Sequence, residues 1–600
     1  MTPEAAAILD QLDRQAPLPE SYDDVQRIVH APRADYDEVF AQIAMAWADE
    51  RWRRPGAPMT FRPIQATAML AAHLTHGALL PIGTGHGKSL LFLLIADALG
   101  AKRPLGLIPP SMRVPFERGR KEYALSFKVP PNLRIMAYSQ LSVANSTDVL
   151  ERLAPDVIVA DEAHNLRNLD SARTKRLVRY MKAHPETLFV PMSGTLTSKS
   201  IADYVHLSEW ALKRGSPVPH TKFFPVLQSF CAVLDAKNQK VSGDRYNVPA
   251  QAADFARMSP LFPDWQDYDA DPVEDEYGRP GPSERVVRAR EVFRQHLTTT
   301  AGVVATDTAS IGASLLFIKR EVQAPPVVLE AIDKLEASWC RPDGEELTDA
   351  PAIWRCARQL TQGFYYRWVW PEGKVDKDWM FARAAWHREI REVLKENRPH
   401  LDSPLLISRS ARAALDERES LLADRDTLLN ALKEWLPHSA KRWGGQRTPP
   451  TEPVWLSEYL LDDAAEWRKE NPKGILWYGE GAVATKLAER GERVYGAGTD
   501  PEAVRGAHGM ACSIAAHKDG KNLQYGHSTN LILTFDPSGT VMEQLISRTH
   551  RSGQEEDEVS LAYYAHTASA ESAVTSALNN ARYIEQTQGV PQRLCYGTWL

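Results

Sequence analysis

Residues 83–89 read Gly-Thr-Gly-His-Gly-Lys-Ser, directly after the apolar run ALLPI (78–82) and before the helix-forming SLLFLLIADAL. A strand, a glycine-rich turn, Lys-Ser and a helix form the context in which a backbone cradles phosphate. Gly83, Thr84, Gly85, His86 and Gly87 would line the cradle, because glycines let N–H groups approach an anion and the helix N-terminus favours negative charge. Lys88 would reach the β- and γ-phosphates of a nucleotide, and the Ser89 hydroxyl would ligate Mg²⁺. Ile82 stands where the strict GxxxxGK[ST] pattern places its first glycine.

A second apolar run, DVIVA (156–160), ends in Asp161-Glu162-Ala163-His164. Two acids at the end of a buried strand suit a metal–phosphate site, with Asp161 holding Mg²⁺ and Glu162 orienting or deprotonating an attacking water. The alternative is a helix cap with acids in its first turn. A third run, TLFVPMS (187–193), leads into Ser193-Gly194-Thr195. Upstream lies Phe61-Arg62-Pro63-Ile64-Gln65, where Gln65 either reads an adenine edge through its amide or opens a surface helix. Far downstream, QLISRTHRSGQ (544–554) carries Arg548 and Arg551, which share a face if the segment is helical. Arginines that meet the charge developing on a γ-phosphate raise the rate by about 10³ to 10⁵. Arginines so remote from Lys88 in sequence would act across an interdomain cleft, so that hydrolysis requires closure.

The elements that must hold these residues follow from the texture of the chain. Short apolar runs (78–82, 105–110, 133–139, 156–160 and 187–193) alternate with helix-length stretches, the signature of buried parallel strands in βαβ units. The fold class expected is therefore α/β and doubly wound, with ligands at the carboxyl ends of strands. The expected division is an N-terminal helical segment (1–58), a first α/β domain (59–210), a largely helical insertion or linker region (211–453) and a second α/β domain (454–600). Within the third part, 264–282 reads as an acidic exposed loop and 444–453 as a linker. Strands are expected at GILWYG (474–479) and NLILTFD (530–536), with the short run RVYGAG (493–498) between them. The aromatic segment 364–370 either stacks bases or packs a core.

Composition sets the outer limits. The chain has 600 residues, 43% hydrophobic and 25% charged, with a net charge of −6. That balance excludes a polycation binding nucleic acid by bulk charge but allows a local basic groove. Five widely spaced cysteines without a CxxC pair argue against a zinc site or a disulfide framework. The first residues do not form a signal peptide, and no apolar run approaches the length of a membrane span.

Taken together, RPIQ, GTGHGKS, DEAH and SGT resemble motifs Q, I, II and III of superfamily-two helicase-like ATPases. QLISRTHRSGQ is similar to motif VI of the Swi/Snf-type branch, Gly520-Lys521-Asn522-Leu523 to motif V, and GILWYG to the motif IV strand. Segment 109–123 and Tyr138-Ser139 look like the DNA-facing motifs Ia and Ib. The resemblance covers 60–210 and 455–570. It implies two RecA-like doubly wound parallel-sheet domains with a helical insertion between them, closing over ATP and Mg²⁺. It also implies that Arg551 contacts the γ-phosphate and that Arg548 supports it. His164, Ser193, Gly194, Thr195, Gly520, Asn522, Gln544 and Gln554 would couple the ATP site to the cleft. The function implied is a DNA translocase, with nucleic acid (DNA before RNA) as partner, no membrane, a monomeric state and a cytoplasmic setting in a bacterial or phage-infected cell. A strand-separating helicase and an ATP-switched protein scaffold are the alternatives.

Overall fold

The structure is a computed structural model. It describes residues 23–600 apart from 144–147, 198, 236–249, 275–279, 307–311, 345–346, 348–349, 371–372, 397–400, 402–403, 444, 447, 505 and 507. Its class is α/β, and its two large sheets are parallel throughout.

The first sheet has the order β2-β1-β3-β4, formed by β1 (Pro104–Ile108), β2 (Arg134–Ala137), β3 (Val157–Asp161) and β4 (Leu188–Met192). Every residue of β1 and β3 is buried, as expected of parallel strands covered on both faces. The run ALLPI does not extend this sheet as a regular strand. It contributes single bridges, Leu80 to Met192 and Leu79 to Val303. The helix Lys88–Ala98 that follows buries eight of its eleven residues, so an almost wholly apolar helix sits against the sheet.

The second sheet has seven strands in the order β11-β12-β10-β13-β14-β7-β15. These are β7 (Ser314–Arg320), β10 (Ile475–Tyr478), β11 (Val494–Tyr495), β12 (Met510–Ser513), β13 (Thr529–Ile532), β14 (Glu558–Tyr564) and β15 (Thr598–Trp599). Strands β10 and β11 lie within the runs read from sequence, and β13 overlaps NLILTFD (530–536) but starts one residue before it.

The stretch 211–453, expected as one helical insertion, divides into three. Val286, Phe293, Leu297 and Val303 belong to the core of the first lobe. Strand β7 pairs along its whole length with β14, from Ser314 beside Glu558 to Arg320 beside Tyr564. The remainder is helices around the antiparallel pair β8 (Phe364–Trp368) and β9 (Thr451–Trp455), anchored to the second sheet where Phe364 shares a core with Leu476, Leu531 and Tyr564. Strand β9 also occupies the end of the expected linker 444–453. The acidic stretch 264–282 carries a short hairpin, β5 (Pro272–Glu274) with β6 (Pro280–Ser283), whose connection lies outside the described residues. The N-terminal helix Glu38–Trp52 is likewise no separate unit, because Phe40, Ala44 and Ala48 share a core with the helix Pro63–Thr75 and the helix Lys88–Ala98.

The chain leaves the second sheet at Arg320 and returns at the helix Tyr459–Glu470. There Asp463 accepts two bonds from the Arg320 guanidinium, at 2.7 and 2.9 Å. The long helix Ala568–Gln588 then crosses back to pack on the first lobe's helix Glu284–Thr298, with Arg290 Nη1 donating to Gln586 Oε1 at 2.9 Å. Among the described residues, no helix is long and apolar enough to cross a membrane.

Candidate active site

The loop 83–87 turns sharply at Gly85 and Gly87, whose φ angles are +93° and +80°. Gly87 is obligatory on two grounds: its left-handed backbone, and the Gln65 amide, which a Cβ would approach to 2.3 Å. Gln65 itself is spoken for. Its Oε1 accepts from Arg62 N (2.8 Å) and its Nε2 donates to Gly87 O (2.8 Å). The buried Gln65 amide thus braces the loop through one bond at each end. Arg62 adds a bond from its guanidinium to Gly85 O. Lys88 Nζ donates to Ile82 O (2.9 Å) and lies 3.9 Å from Glu162 Oε1. The lysine therefore spans the mouth of the loop, between the loop backbone and an acid. Ser89 follows it in the first turn of the helix, and His86 is half-buried at the loop's crest.

Asp161 ends β3 and Glu162 begins the turn after it, so both acids sit at the carboxyl edge of the sheet. Glu162 has φ +47°, a left-handed conformation that a residue with a Cβ adopts only at a cost. It stands at the N-cap position of the short 3-10 helix Ala163–Leu166, as the alternative raised by the sequence expects, but its side chain makes no cap bond. Asp161 is 4% exposed and its Oδ1 has no hydrogen-bond partner. Burial, with the neighbouring Glu162 carboxylate adding to it, pushes Asp161 up to about 7 against the pull of Lys88. In Glu162 burial acts in the same direction but is outweighed by Lys88, His164 and Lys518, which hold it well below the usual carboxylate range. The pair is thus differentiated into one acid that lacks a cation and one held ionised.

This arrangement fits a divalent cation with bound water. A buried oxygen without a partner faces a loop that ends in a serine hydroxyl. Among the described residues, no group of three or more His, Cys, Asp and Glu forms a closed protein cage. Open sites of one or two protein oxygens, completed by water and phosphate, are the habit of Mg²⁺.

Ser193, Gly194 and Thr195 form the third wall. His164 Nδ1 lies 3.1 Å from Ser193 Oγ and 3.4 Å from Glu162 Oε2, and Ser193 Oγ also donates to Thr195 O (2.9 Å). Gly194 packs against the phosphate loop so closely that a Cβ would come within 3.2 Å of Gly83 Cα. Hydrogen bonds thus join His164, Ser193 and Thr195 to Glu162, while Gly194 packs on the loop. Tyr138, expected to face nucleic acid, is instead fully buried and donates to Asp161 O at 2.8 Å. Its hydroxyl fixes the strand end that carries the acids.

The second lobe presents cations opposite these acids. The helix Gly539–Ile546 ends just before Arg548, and the rest of 547–554 is turns, so Arg548 and Arg551 do not share a helical face. Arg548 is buried, and its fork is used within its own lobe: Nε to Gln544 O (2.8 Å), Nη2 to Ser547 Oγ (2.7 Å) and Nη1 to Lys521 O (3.1 Å). Burial and the neighbouring Arg551 lower it to about 9, while Asp519 and Glu162 act in the opposite direction. Arg551 makes one long bond, to Lys521 O at 3.4 Å, and is lowered by burial first and then by Arg593 and Arg62. Lys518 Nζ donates to Gln544 Oε1 (3.0 Å) and to Asp519 Oδ2 (2.7 Å). Asn522 N–H donates to Glu502 (2.6 Å), whose carboxylate also pairs with the first lobe's Arg118 at 3.2 Å. Gly520 rests on Met112 of the first lobe. Gln554 does not reach the cleft: its amide is bonded to His527 O, Thr549 O and the N–H groups of Glu555 and Glu556. It closes its own turn and does not couple the lobes.

Two residues at this site escaped the sequence reading. Thr306 Oγ1 accepts from Gly83 N at 3.0 Å, from 223 positions away. Arg593 Nη1 donates to Thr84 Oγ1 at 3.0 Å, from 509 positions away. Neither lies in a run with its own chemical signature. The aromatic segment 364–370 is a core feature: Phe364 and Tyr365 are buried, and Trp368 and Trp370 pack on the buried Trp379. No family model matches this chain, and no curated protein matches it.

Proposed function

We propose that the protein is an ATP-dependent nucleic-acid motor, a DNA translocase of the helicase-like kind whose two parallel sheets are RecA-like lobes. The observation that carries the reading is the meeting of two sets of residues. Lys88, Asp161 and Glu162 stand at the carboxyl edge of one sheet, and Lys518, Arg548 and Arg551, on turns of the other lobe, lie within electrostatic reach of them or of the loop's Arg62. ATP and Mg²⁺ are the cofactors implied. The loop 83–87 and Lys88 would hold the phosphates, and Ser89 and Asp161 would hold the cation. The cation would supply charge neutralisation at the phosphates.

The remaining chemistry belongs to the chain. Glu162, kept ionised by Lys88 and His164, is the acceptor for a proton from an attacking water. Tyr138 and the SGT turn hold it in place. Arg551, which has one weak bond of its own, is the cation available to the terminal phosphate. Arg548 is locked to three oxygens of its own lobe and serves to hold Arg551 and the 518–522 segment at fixed geometry. The exposed Arg113 and Lys121 of the helix Arg113–Ser126 supply a basic face on the first lobe, where a phosphodiester backbone would lie.

The test is phosphate release from ATP, measured alone and with duplex DNA, single-stranded DNA or RNA. Stimulation of at least tenfold by DNA is expected. Turnover that none of the three polymers changes would remove the motor reading.

A further inference from the structure

Thr84 of the phosphate loop meets the second lobe through a side chain that belongs to neither the loop nor the 544–554 segment. Arg593 is carried just beyond the helix Ala568–Gln588, on a segment laid across the cleft. Gln588 fixes the start of that segment to the first lobe: its Oε1 accepts from Leu196 N (2.9 Å) and its Nε2 donates to Thr197 O (2.6 Å). Val590 packs on Gly83. The space left at this junction, between Gly83, Thr84, Glu162, Glu543 and Gln592, is a cavity of about 10 Å³, enough for one water.

The guanidinium of Arg593 is shared between lobes. On its own side it pairs with Glu543, whose other oxygen accepts Arg593 N at 2.8 Å. Its Nε donates to His550 O (3.1 Å) and His550 Nδ1 (3.2 Å). His550 Nε2 lies 2.8 Å from Ala313 O, so the ring is neutral, accepting at Nδ1 and donating at Nε2. Across the cleft, Nη1 reaches Thr84 Oγ1. A pair that only held the C-terminal segment to the helix Gly539–Ile546 would need Glu543 and His550 alone. The bond to a neutral hydroxyl at the mouth of the loop places a charged donor where an anion would offer a stronger acceptor.

We propose that Arg593 is a specificity-determining residue for nucleoside triphosphate over diphosphate: its guanidinium exchanges the Thr84 hydroxyl for an oxygen of the terminal phosphate, and Gln588 and the segment 588–593 carry that exchange into docking of the second lobe. This rests on the phosphate-loop reading given above. Glu543 keeps the fork aimed while the loop is empty. His550, neutral and wedged between Arg593 and Ala313, keeps a further positive charge out of the cleft.

The experiment is equilibrium binding of ATPγS and of ADP to the full chain, wild type and Arg593→Gln. Wild type is expected to prefer ATPγS by at least tenfold. In Arg593→Gln that preference should fall by about tenfold while the ADP affinity stays within threefold. Arg593→Lys, which keeps the charge without the fork, should recover at least threefold of it. Equal losses of ATPγS and ADP affinity, or an unchanged preference, would mean that Arg593 is structural and overturn the inference. Should Arg593→Gln not fold, hydrogen exchange of 588–596 in the wild-type protein decides. Protection at least fivefold greater with ATPγS than with ADP supports the inference, and equal protection overturns it. Wild-type protein that binds neither nucleotide overturns the phosphate-loop reading and this inference with it, whereas the other adverse outcomes leave that reading standing.

Discussion

The two faces of the cleft are built in opposite ways. The first-lobe face consists of short turns at strand ends, with polar atoms left open: Asp161 Oδ1 has no partner, and Lys88 reaches Glu162 only at 3.9 Å. The second-lobe face consists of long side chains anchored by one committed within its own lobe, Arg548, which is bonded to Gln544 O, Ser547 Oγ and Lys521 O. On the function proposed above, one face would take in a charged ligand and the other would arrive as a preassembled block. A site divided in this way would keep reorganisation small as the lobes close, which is what electrostatic stabilisation of a transition state requires.

The first way to break this contrast is to disarm the receiving face. Lys88→Ala should abolish nucleotide binding, and Glu162→Gln should bind ATP normally yet lose turnover by about 10³-fold or more, as removal of a water-activating base does. Nucleotide titration followed by single-turnover hydrolysis separates the two, and preserved turnover in Glu162→Gln would take that residue out of the mechanism. The next effect falls on the arriving face. Arg551→Ala should keep ATP affinity within a few-fold while turnover falls by about 10³-fold. Collapse of affinity with turnover intact at saturation would assign Arg551 to ground-state binding.

Arg548→Ala should behave differently from its neighbour, because its bonds are internal. Loss of three charge-assisted bonds in a buried position should cost about 3 kcal/mol of second-lobe stability. Urea denaturation followed by tryptophan fluorescence would read this, and an unshifted midpoint would refute the locking role. The smallest effect is acid lability of the arriving face. Burial, reinforced by Arg593, holds His550 down to about 4, against an ordinary histidine near 6.5 in the unfolded chain. Its contribution is therefore complete above pH 6.5 and disappears as the pH falls toward 4, amounting to about 2 kcal/mol by pH 4.5. His550→Gln should flatten that part of the pH dependence of the urea midpoint. An identical slope in the variant would assign the acid lability to other groups.

What the sequence disclosed about this site has a physical pattern. The loop 83–89 and the acids 161–162 were legible because each carries its chemistry in contiguous residues flanked by a strand. Thr306 and Arg593 were not, because nothing local in their surroundings requires a partner, and only the folded chain brings them to Gly83 and Thr84. Gln65 and Gln554 show the reverse error. Their amides suit recognition by type, yet in the fold the Gln554 amide is fully bonded to nearby backbone and the Gln65 amide braces the phosphate loop. At the level of elements, SLLFIKR (314–320) was hidden in a long helical stretch because one strand without neighbours in sequence has no repeating pattern to expose it. The segment 364–370 gave an ambiguous aromatic signal that packing on Trp379 resolved in favour of a core.

The Arg320–Asp463 pair has a consequence for how the molecule can vary. It closes the base of the 321–458 excursion, so the ends of that excursion are held at a fixed separation whatever lies between them. The entropy of closing a chain grows only as the logarithm of its length, about 0.6 kcal/mol for each doubling. Loops within 321–458 can therefore lengthen or shorten at little cost, whereas β8 cannot be exchanged freely, because Phe364 is buried in one core with Leu476, Leu531 and Tyr564 and the Tyr366 hydroxyl accepts from Ala482 N at 3.0 Å.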